Sequence, residues 1–284
     1  CLLTERLFGS TPGTLADGSA MITGLLLGLT LPPGFPLWMA FLGGFFGVAF
    51  GKIIFGGLGN NVFNPALVGR AFLQAAFPVA ITTWPVRPDS WLTLYGSNFA
   101  LPFMSPTADV VTGATPLGIM KFADEPVVAP INDLLLGTTM GSLGETSALL
   151  ILLGGLYLAW RGHLNWHIPL SILTTVFAVS GLFYLLGVSD FPPLFMLFSG
   201  GLMLGAFYMA TDMVTSPVSN KGCWIFGFGI GFLTVIIRIW GGLPEGVMYS
   251  ILLMTSLVPF IDRLSQPRLF GTSGKKNKAK EGES

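Results

Sequence analysis

The chain reads as an all-α integral membrane protein of transporter-like plan, with several short or broken helices and an inverted internal repeat. Three observations predict this. Only 10% of the 284 residues are charged and 52% are hydrophobic, whereas soluble domains carry roughly 25% charged residues. Charge is therefore too scarce to cover a water-facing surface. The apolar residues come in blocks that are apolar on all sides, as lipid requires, not along one stripe. Two Gly-rich strings also recur, in the same order, in the two halves of the chain. Fourteen Lys+Arg balance fourteen Asp+Glu, so no basic excess points to nucleic acid as a partner.

Apolar blocks between Gly/Pro turn signals predict eight membrane helices: Ala20–Leu31, Pro36–Ile54, Pro65–Val79, Thr146–Trp160, Ile168–Val188, Leu194–Ala210, Trp224–Trp240 and Val247–Ile261. A full span takes roughly 20 residues, so several of these are short. Pro32-Pro33, Gly56-Gly57, Pro65 and Gly241-Gly242 sit at their ends. Short segments interrupted by Gly and Pro point to broken helices around an internal binding site.

The repeat supports that reading. Gly24-Leu25-Leu26-Leu27-Gly28 recurs as Gly201-Leu202-Met203-Leu204-Gly205, and Phe55-Gly56-Gly57-Leu58 as Trp240-Gly241-Gly242-Leu243. The copies begin at the first and sixth predicted helices, an odd difference, so they run in opposite directions if every segment crosses. The expected organisation is a first repeat over 1–81 (N-terminally incomplete), a loop over 82–144, connecting helices over 145–190, a second repeat over 191–265 and a solvated tail over 266–284. Cys1–Arg6 is too short for a cleavable signal peptide, and the lack of an initiator Met suggests further chain upstream.

Orientation follows the distribution of basic residues. Placing the tail Lys275-Lys276-Asn277-Lys278 in the cytoplasm also puts Arg6, Lys52, Arg161, Lys221, Arg263 and Arg268 there. The opposite face receives Asp89, Asp109, Asp124, Glu125, Asp133, Glu145, Asp190 and Glu245. The long loop is then extracytoplasmic, and loops of that length are commonly functional or disordered.

Inside that loop lies Asp109-Val110-Val111-Thr112-Gly113-Ala114-Thr115-Pro116-Leu117. By average residue usage, Asp-x-x-[Ser/Thr]-Gly-Ala-Thr arises on the order of once in a thousand chains of this length. Its plain physical reading is a tight turn. Gly113 permits close backbone approach, Ala114 leaves room and Pro116 restricts the backbone after it, presenting Thr115 with an exposed hydroxyl suited to phosphate chemistry.

Here the sequence resembles the RnfD/NqrB family of membrane redox-pump subunits. The motif is similar to that family's flavinylation site. The likeness extends to Gly56-Gly57-Leu58-Gly59-Asn60-Asn61-Val62-Phe63-Asn64-Pro65, to Trp166-His167-Ile168-Pro169, and to Met209-Ala210-Thr211-Asp212 with Ser219-Asn220-Lys221-Gly222. Ile239-Trp240-Gly241-Gly242-Leu243-Pro244-Glu245-Gly246-Val247 and Ile261-Asp262-Arg263 look closer to RnfD than to NqrB. The resemblance implies FMN esterified through its phosphate to Thr115 by a flavin transferase. Asp109, Thr112, Gly113 and Ala114 would be the transferase's recognition motif. It further implies a non-covalent riboflavin near Asn61 and Asn64, and partner subunits RnfA, RnfB, RnfC, RnfE and RnfG in a bacterial or archaeal cytoplasmic membrane. Family members also carry extra N-terminal helices that are not found in this chain. The orientation argument, made without the family, already places Thr115 on the side where such transferases act.

Other polar residues carry two readings each. Asn64 is either the N-cap of the helix at Pro65 or, with Asn61, a flavin contact. Arg70, one turn into that helix, either faces a flavin or a carboxylate, or snorkels to the interface. Asp212 is an ion-pathway candidate or a solvated loop carboxylate, and Glu145 and Arg238 share that ambiguity. His163 and His167 lack a third ligand nearby, so interfacial hydrogen bonding beside Trp160 and Trp166 explains them better than a metal. Cys1 and Cys223 form neither a metal spacing nor a disulfide framework. No Rossmann, P-loop or iron–sulfur pattern appears. The expected function is thus a flavin-carrying electron relay in an Rnf-type complex that couples ferredoxin–NAD electron transfer to Na⁺ or H⁺ movement. The alternatives are an NqrB-like subunit feeding quinone and, from another class, a small-solute transporter or channel, which leaves the motif unexplained.

Overall fold

The computed structural model describes residues 1–9, 17–85, 95–102, 112–122 and 128–266, with backbone alone at 112–113. Helices run through it as α1 (Leu2–Phe8), α2 (Ser19–Leu29), α3 (Leu37–Val48, continued by a π-helical turn Ala49–Ile53), α4 (Pro65–Ala76) and α5 (Pro78–Thr82). A two-residue strand β1 (Trp84–Pro85) pairs antiparallel with β2 (Thr112–Gly113), Trp84 opposite Gly113. Beyond it come α6 (Pro116–Phe122), α7 (Ile131–Leu136), α8 (Ala148–Trp160), α9 (His167–Leu185), α10 (Pro193–Phe198), α11 (Leu202–Leu204, continued by a π-helical turn Gly205–Met209), α12 (Asn220–Trp240) and α13 (Val247–Ser265).

The all-helical membrane class holds. Among the described residues, α9, α12 and α13 are long and apolar enough to cross a bilayer. Their outward side chains are apolar: Leu185 is 84% exposed and, on α8, Trp160 is 82% exposed, surface that lipid covers without cost. Three features differ from the sequence reading. The segment predicted as one helix over Pro65–Val79 divides at Phe77 into α4 and α5, so the eight predicted helices do not map one to one. The segment predicted as one helix over Leu194–Ala210 breaks after Phe198, because Gly200 adopts a left-handed conformation at φ 64° that a helix cannot continue through. The loop over 82–144 contains two short helices, α6 and α7, and both strands of the β1–β2 pair, so part of it is built structure.

With no hydrophobic drive between helices in lipid, close packing needs small residues. On α12, Gly227 and Gly231 face Ser171 and Thr175 of α9; an added Cβ would stand 2.6 Å and 2.8 Å from theirs. Gly47 of α3 lies against α4, where a Cβ would come within 2.6 Å of the Pro65 carbonyl oxygen. Two cores result. The larger joins α8 to α13 through Ile168, Ile172, Phe195, Met196, Phe226 and Ile230. The smaller joins α2, α4 and the chain between them through Leu27, Leu31, Phe35, Ala66 and Leu73.

Candidate functional site

Breaking helices in an apolar interior frees carbonyl groups that must be satisfied. Three cations do this. Arg70 of α4 donates to Thr30 O, at the end of α2, at 2.6 Å. Arg238 donates to Met196 O at 2.5 Å and Ser199 O at 3.0 Å, where α10 ends. Lys121 Nζ donates to Ile237 O, Arg238 O and Leu243 O at 3.1, 2.7 and 3.0 Å, capping the end of α12. Cations at helix C-termini also meet the negative end of the dipole.

Arg70 resolves its two readings in favour of carboxylates. Its Nη1 reaches Glu145 Oε1 at 3.1 Å and its Nη2 reaches Glu245 Oε2 at 2.6 Å. It is buried, not snorkelling. Glu145 and Arg238 are likewise buried, so neither is a solvated charge. Sequence reading placed Glu245 only as a loop charge. Aligning Gly241-Gly242 with Gly56-Gly57 sets it opposite Asn60, the one signal that marks it.

Beside this cluster stands Thr115. Its Oγ1 accepts from Gly118 N at 3.1 Å and its carbonyl from Ile119 N at 2.9 Å, so it is the N-cap of α6, with Pro116 next. The hydroxyl is not open to solvent as the turn reading expected. Thr115 is 9% exposed and faces a cavity of about 310 Å³ lined also by Arg70, Gln74, Trp84, Phe122, Glu245 and Tyr249. Capping explains the burial: Oγ1 must fold back over the first turn to reach Gly118. Ala114 lines the same cavity. Thr112 and Gly113 contribute the backbone strand β2, and Asp109 lies outside the described residues.

A second cavity, of about 420 Å³, lies at the other end of α4, lined by Asn61, Asn64, Pro65, Lys52, His163, Tyr208, Thr211 and Asp212 among others. Both volumes fall within the roughly 300–1,000 Å³ of small-molecule sites. Asn64 is an N-cap, Oδ1 accepting from Ala66 N at 3.0 Å, and its Nδ2 donates to Met209 O at 3.3 Å. Asn61 donates weakly to Phe63 O at 3.4 Å, while its buried Oδ1 has no partner among the described residues, which leaves an acceptor available to a ligand. Lys52 is locked to Glu5 of α1 and to Ser19, an ion pair that no sequence pattern marks. Asp212 accepts from Val214 N at 3.2 Å, and burial raises its carboxyl above the usual range. His167 bonds Asn165 and stacks on Trp166 at 4.0 Å. No group of three metal-ligating side chains occurs among the described residues.

Known proteins share much of this sequence. The chain matches the NQR2, RnfD, RnfE family over residues 1–271. It is 46% identical over 270 residues to the D subunit of the proton-translocating ferredoxin:NAD(+) oxidoreductase complex of Clostridium ljungdahlii, covering 92% of this chain and 77% of that one. It is 42% identical over 271 residues to the D subunit of the Na(+)-translocating ferredoxin:NAD(+) oxidoreductase complex of Acetobacterium woodii, covering 95% and 78%. Against the D subunit of the ion-translocating oxidoreductase complex of Pseudomonas aeruginosa it is 43% identical over 268 residues, covering 92% and 77%. A multi-pass helical chain matched over nearly its whole length in this way belongs to the NQR2, RnfD, RnfE family.

Proposed function

We propose that this chain is the flavin-carrying subunit of an Rnf-type complex that couples electron transfer between ferredoxin and NAD to Na⁺ or H⁺ translocation. The observation that carries this reading is its likeness, at 42–46% identity across more than nine-tenths of its length, to the D subunits of ferredoxin:NAD(+) oxidoreductase complexes. Partners would be subunits of the RnfA, RnfB, RnfC, RnfE and RnfG types, in a cytoplasmic membrane. The Thr115 loop would be extracytoplasmic and the C-terminus cytoplasmic.

Two features of the chain fit FMN held covalently at Thr115. Oγ1 accepts from Gly118 N, and an ester oxygen still has a lone pair directed at that donor when phosphorus replaces its proton. The cavity it faces offers the flat apolar walls of Trp84, Phe122 and Tyr249 with the polar ends of Arg70 and Gln74, a mixture suited to a ring with one polar edge. Asn61 and Asn64 would hold a non-covalent riboflavin in the second cavity. Bound flavins supply one- and two-electron transfer; the chain supplies position, exclusion of water and electrostatic tuning. Arg70 is fixed by two carboxylates and a carbonyl, so it presents a pre-oriented positive charge to the Thr115 cavity at no reorganisation cost.

The test is flavin fluorescence of the denatured subunit after electrophoresis, from cells making the transferase. Fluorescence should survive denaturation in the wild type and vanish in Thr115→Ala. Fluorescence retained by the variant would contradict the assignment.

A further inference from the structure

Two buried polar atoms beside the ion cluster have no hydrogen-bond partner among the described residues: Ser199 Oγ and Arg238 Nε. They are not scattered. Ser142 O accepts from Glu145 N at 3.2 Å, and its hydroxyl stands beside the Glu145 carboxyl. Ser199 precedes Gly200, where a Cβ would lie 3.5 Å from Arg238 Nη2 and 3.6 Å from Glu245 Cγ. The next residue is Gly201, whose Cβ would lie 2.5 Å from Glu145 Oε1. A void of about 20 Å³ opens there between Thr115, Glu145, Gly200 and Glu245. A water needs roughly 10–15 Å³ and two to four polar partners; the void is large enough, and Thr115, Glu145 and Glu245 line it. Glu245 lines this void and the Thr115 cavity alike, so it connects them.

Arg70 and Arg238 face Glu145 and Glu245, with Tyr249 and Lys121 the remaining titratable groups nearby. An electron arriving in this low-dielectric site adds a negative charge close to Glu145, which raises that carboxyl's affinity for a proton. We propose that Glu145, linked to the Thr115 cavity through Glu245 and an internal water, binds one proton when an electron enters that cavity and releases it when the electron leaves. This rests on the flavin reading above. The electron comes from the reduced ferredoxin side of the complex and departs to its next carrier. The proton comes from bulk solvent by way of the water-accessible cavity and returns there, so charge and atoms balance. Glu145 lies in the loop ahead of α8, and burial pushes its carboxyl up to about 7 despite the guanidinium beside it, which suits exchange near neutral pH.

The experiment uses the intact complex. The midpoint potential of the Thr115-bound flavin is titrated against pH, and the infrared difference spectrum on reduction is recorded. The wild type should show a pH-dependent potential and a protonated-carboxyl band that appears on reduction and shifts in D₂O. Glu145→Gln should flatten the pH dependence and remove the band while keeping its covalent flavin. Wild-type complex lacking the band, or equal pH slopes in wild type and Glu145→Gln with equal flavin content, would overturn the proposal and leave the flavin reading intact. Wild type without covalent flavin would overturn both. If the Gln variant fails to assemble, Glu145→Asp should move the band; an unmoved band counts against the proposal.

Discussion

The two cavities sit at opposite ends of α4 and are built by different means. At the Thr115 end, two glutamates meet one arginine, and three cations satisfy the carbonyls of broken helices. At the asparagine end, amides and hydroxyls face the cavity together with Asp212 and His163, and its lysine is already paired with Glu5. The difference teaches what each end can tolerate. A charged cluster responds to added charge, whereas an amide-lined cavity holds a polar ligand with little electrostatic response.

The contrast can be broken most severely at Arg70. Arg70→Ala leaves two carboxylates without their buried partner, and removing one member of such a pair costs about 3–5 kcal/mol. A strongly lowered melting temperature of the subunit in detergent is the expected result, with covalent flavin reduced because the cavity wall collapses. Asn64→Ala should cost less, about 1 kcal/mol for a lost N-cap, and should release non-covalent flavin while leaving the Thr115 adduct intact; separate extraction of free and bound flavin checks this. The pH response should differ more subtly. Because burial raises the Glu145 carboxyl from an ordinary 4.5 to about 7, the folded state holds that proton more tightly than the unfolded state. Glu145 therefore stabilises fully below its unfolded value, and this contribution is lost as pH rises through the folded one. Thermal melting from acid to neutral pH should fall off less in Glu145→Gln than in the wild type. The smallest change is expected of Asp212→Asn: both flavins retained, with any loss confined to ion transport measured in vesicles.

The fold class was legible because bulk composition alone forces it: a chain with so little charge cannot be soluble. The long helices α9, α12 and α13 were legible from Gly and Pro punctuation, but the breaks at Phe77 and at Ser199–Gly201 were not. Gly200, just before the second string, takes a left-handed conformation, whereas Gly24 and Gly28 of the first string lie within α2; sequence alone does not separate a helical glycine from a helix-ending one. Thr115 stood out because its motif is short and rare. The ion cluster did not, since Arg70, Glu145 and the Arg238/Glu245 segment are far apart in sequence and each residue has an ordinary reading as an interfacial or loop charge. Lys121, six residues past Thr115, escaped for the same reason: its partners are backbone carbonyls, which leave no trace in side-chain pattern.

The covalent bond at Thr115 underlies the account, and peptide mass spectrometry tests it directly. In protein produced beside its natural transferase, the fragment containing Val110–Lys121 should carry the mass of FMN, with fragmentation placing it on Thr115. An unmodified fragment, or the adduct located on Thr112, would contradict the account.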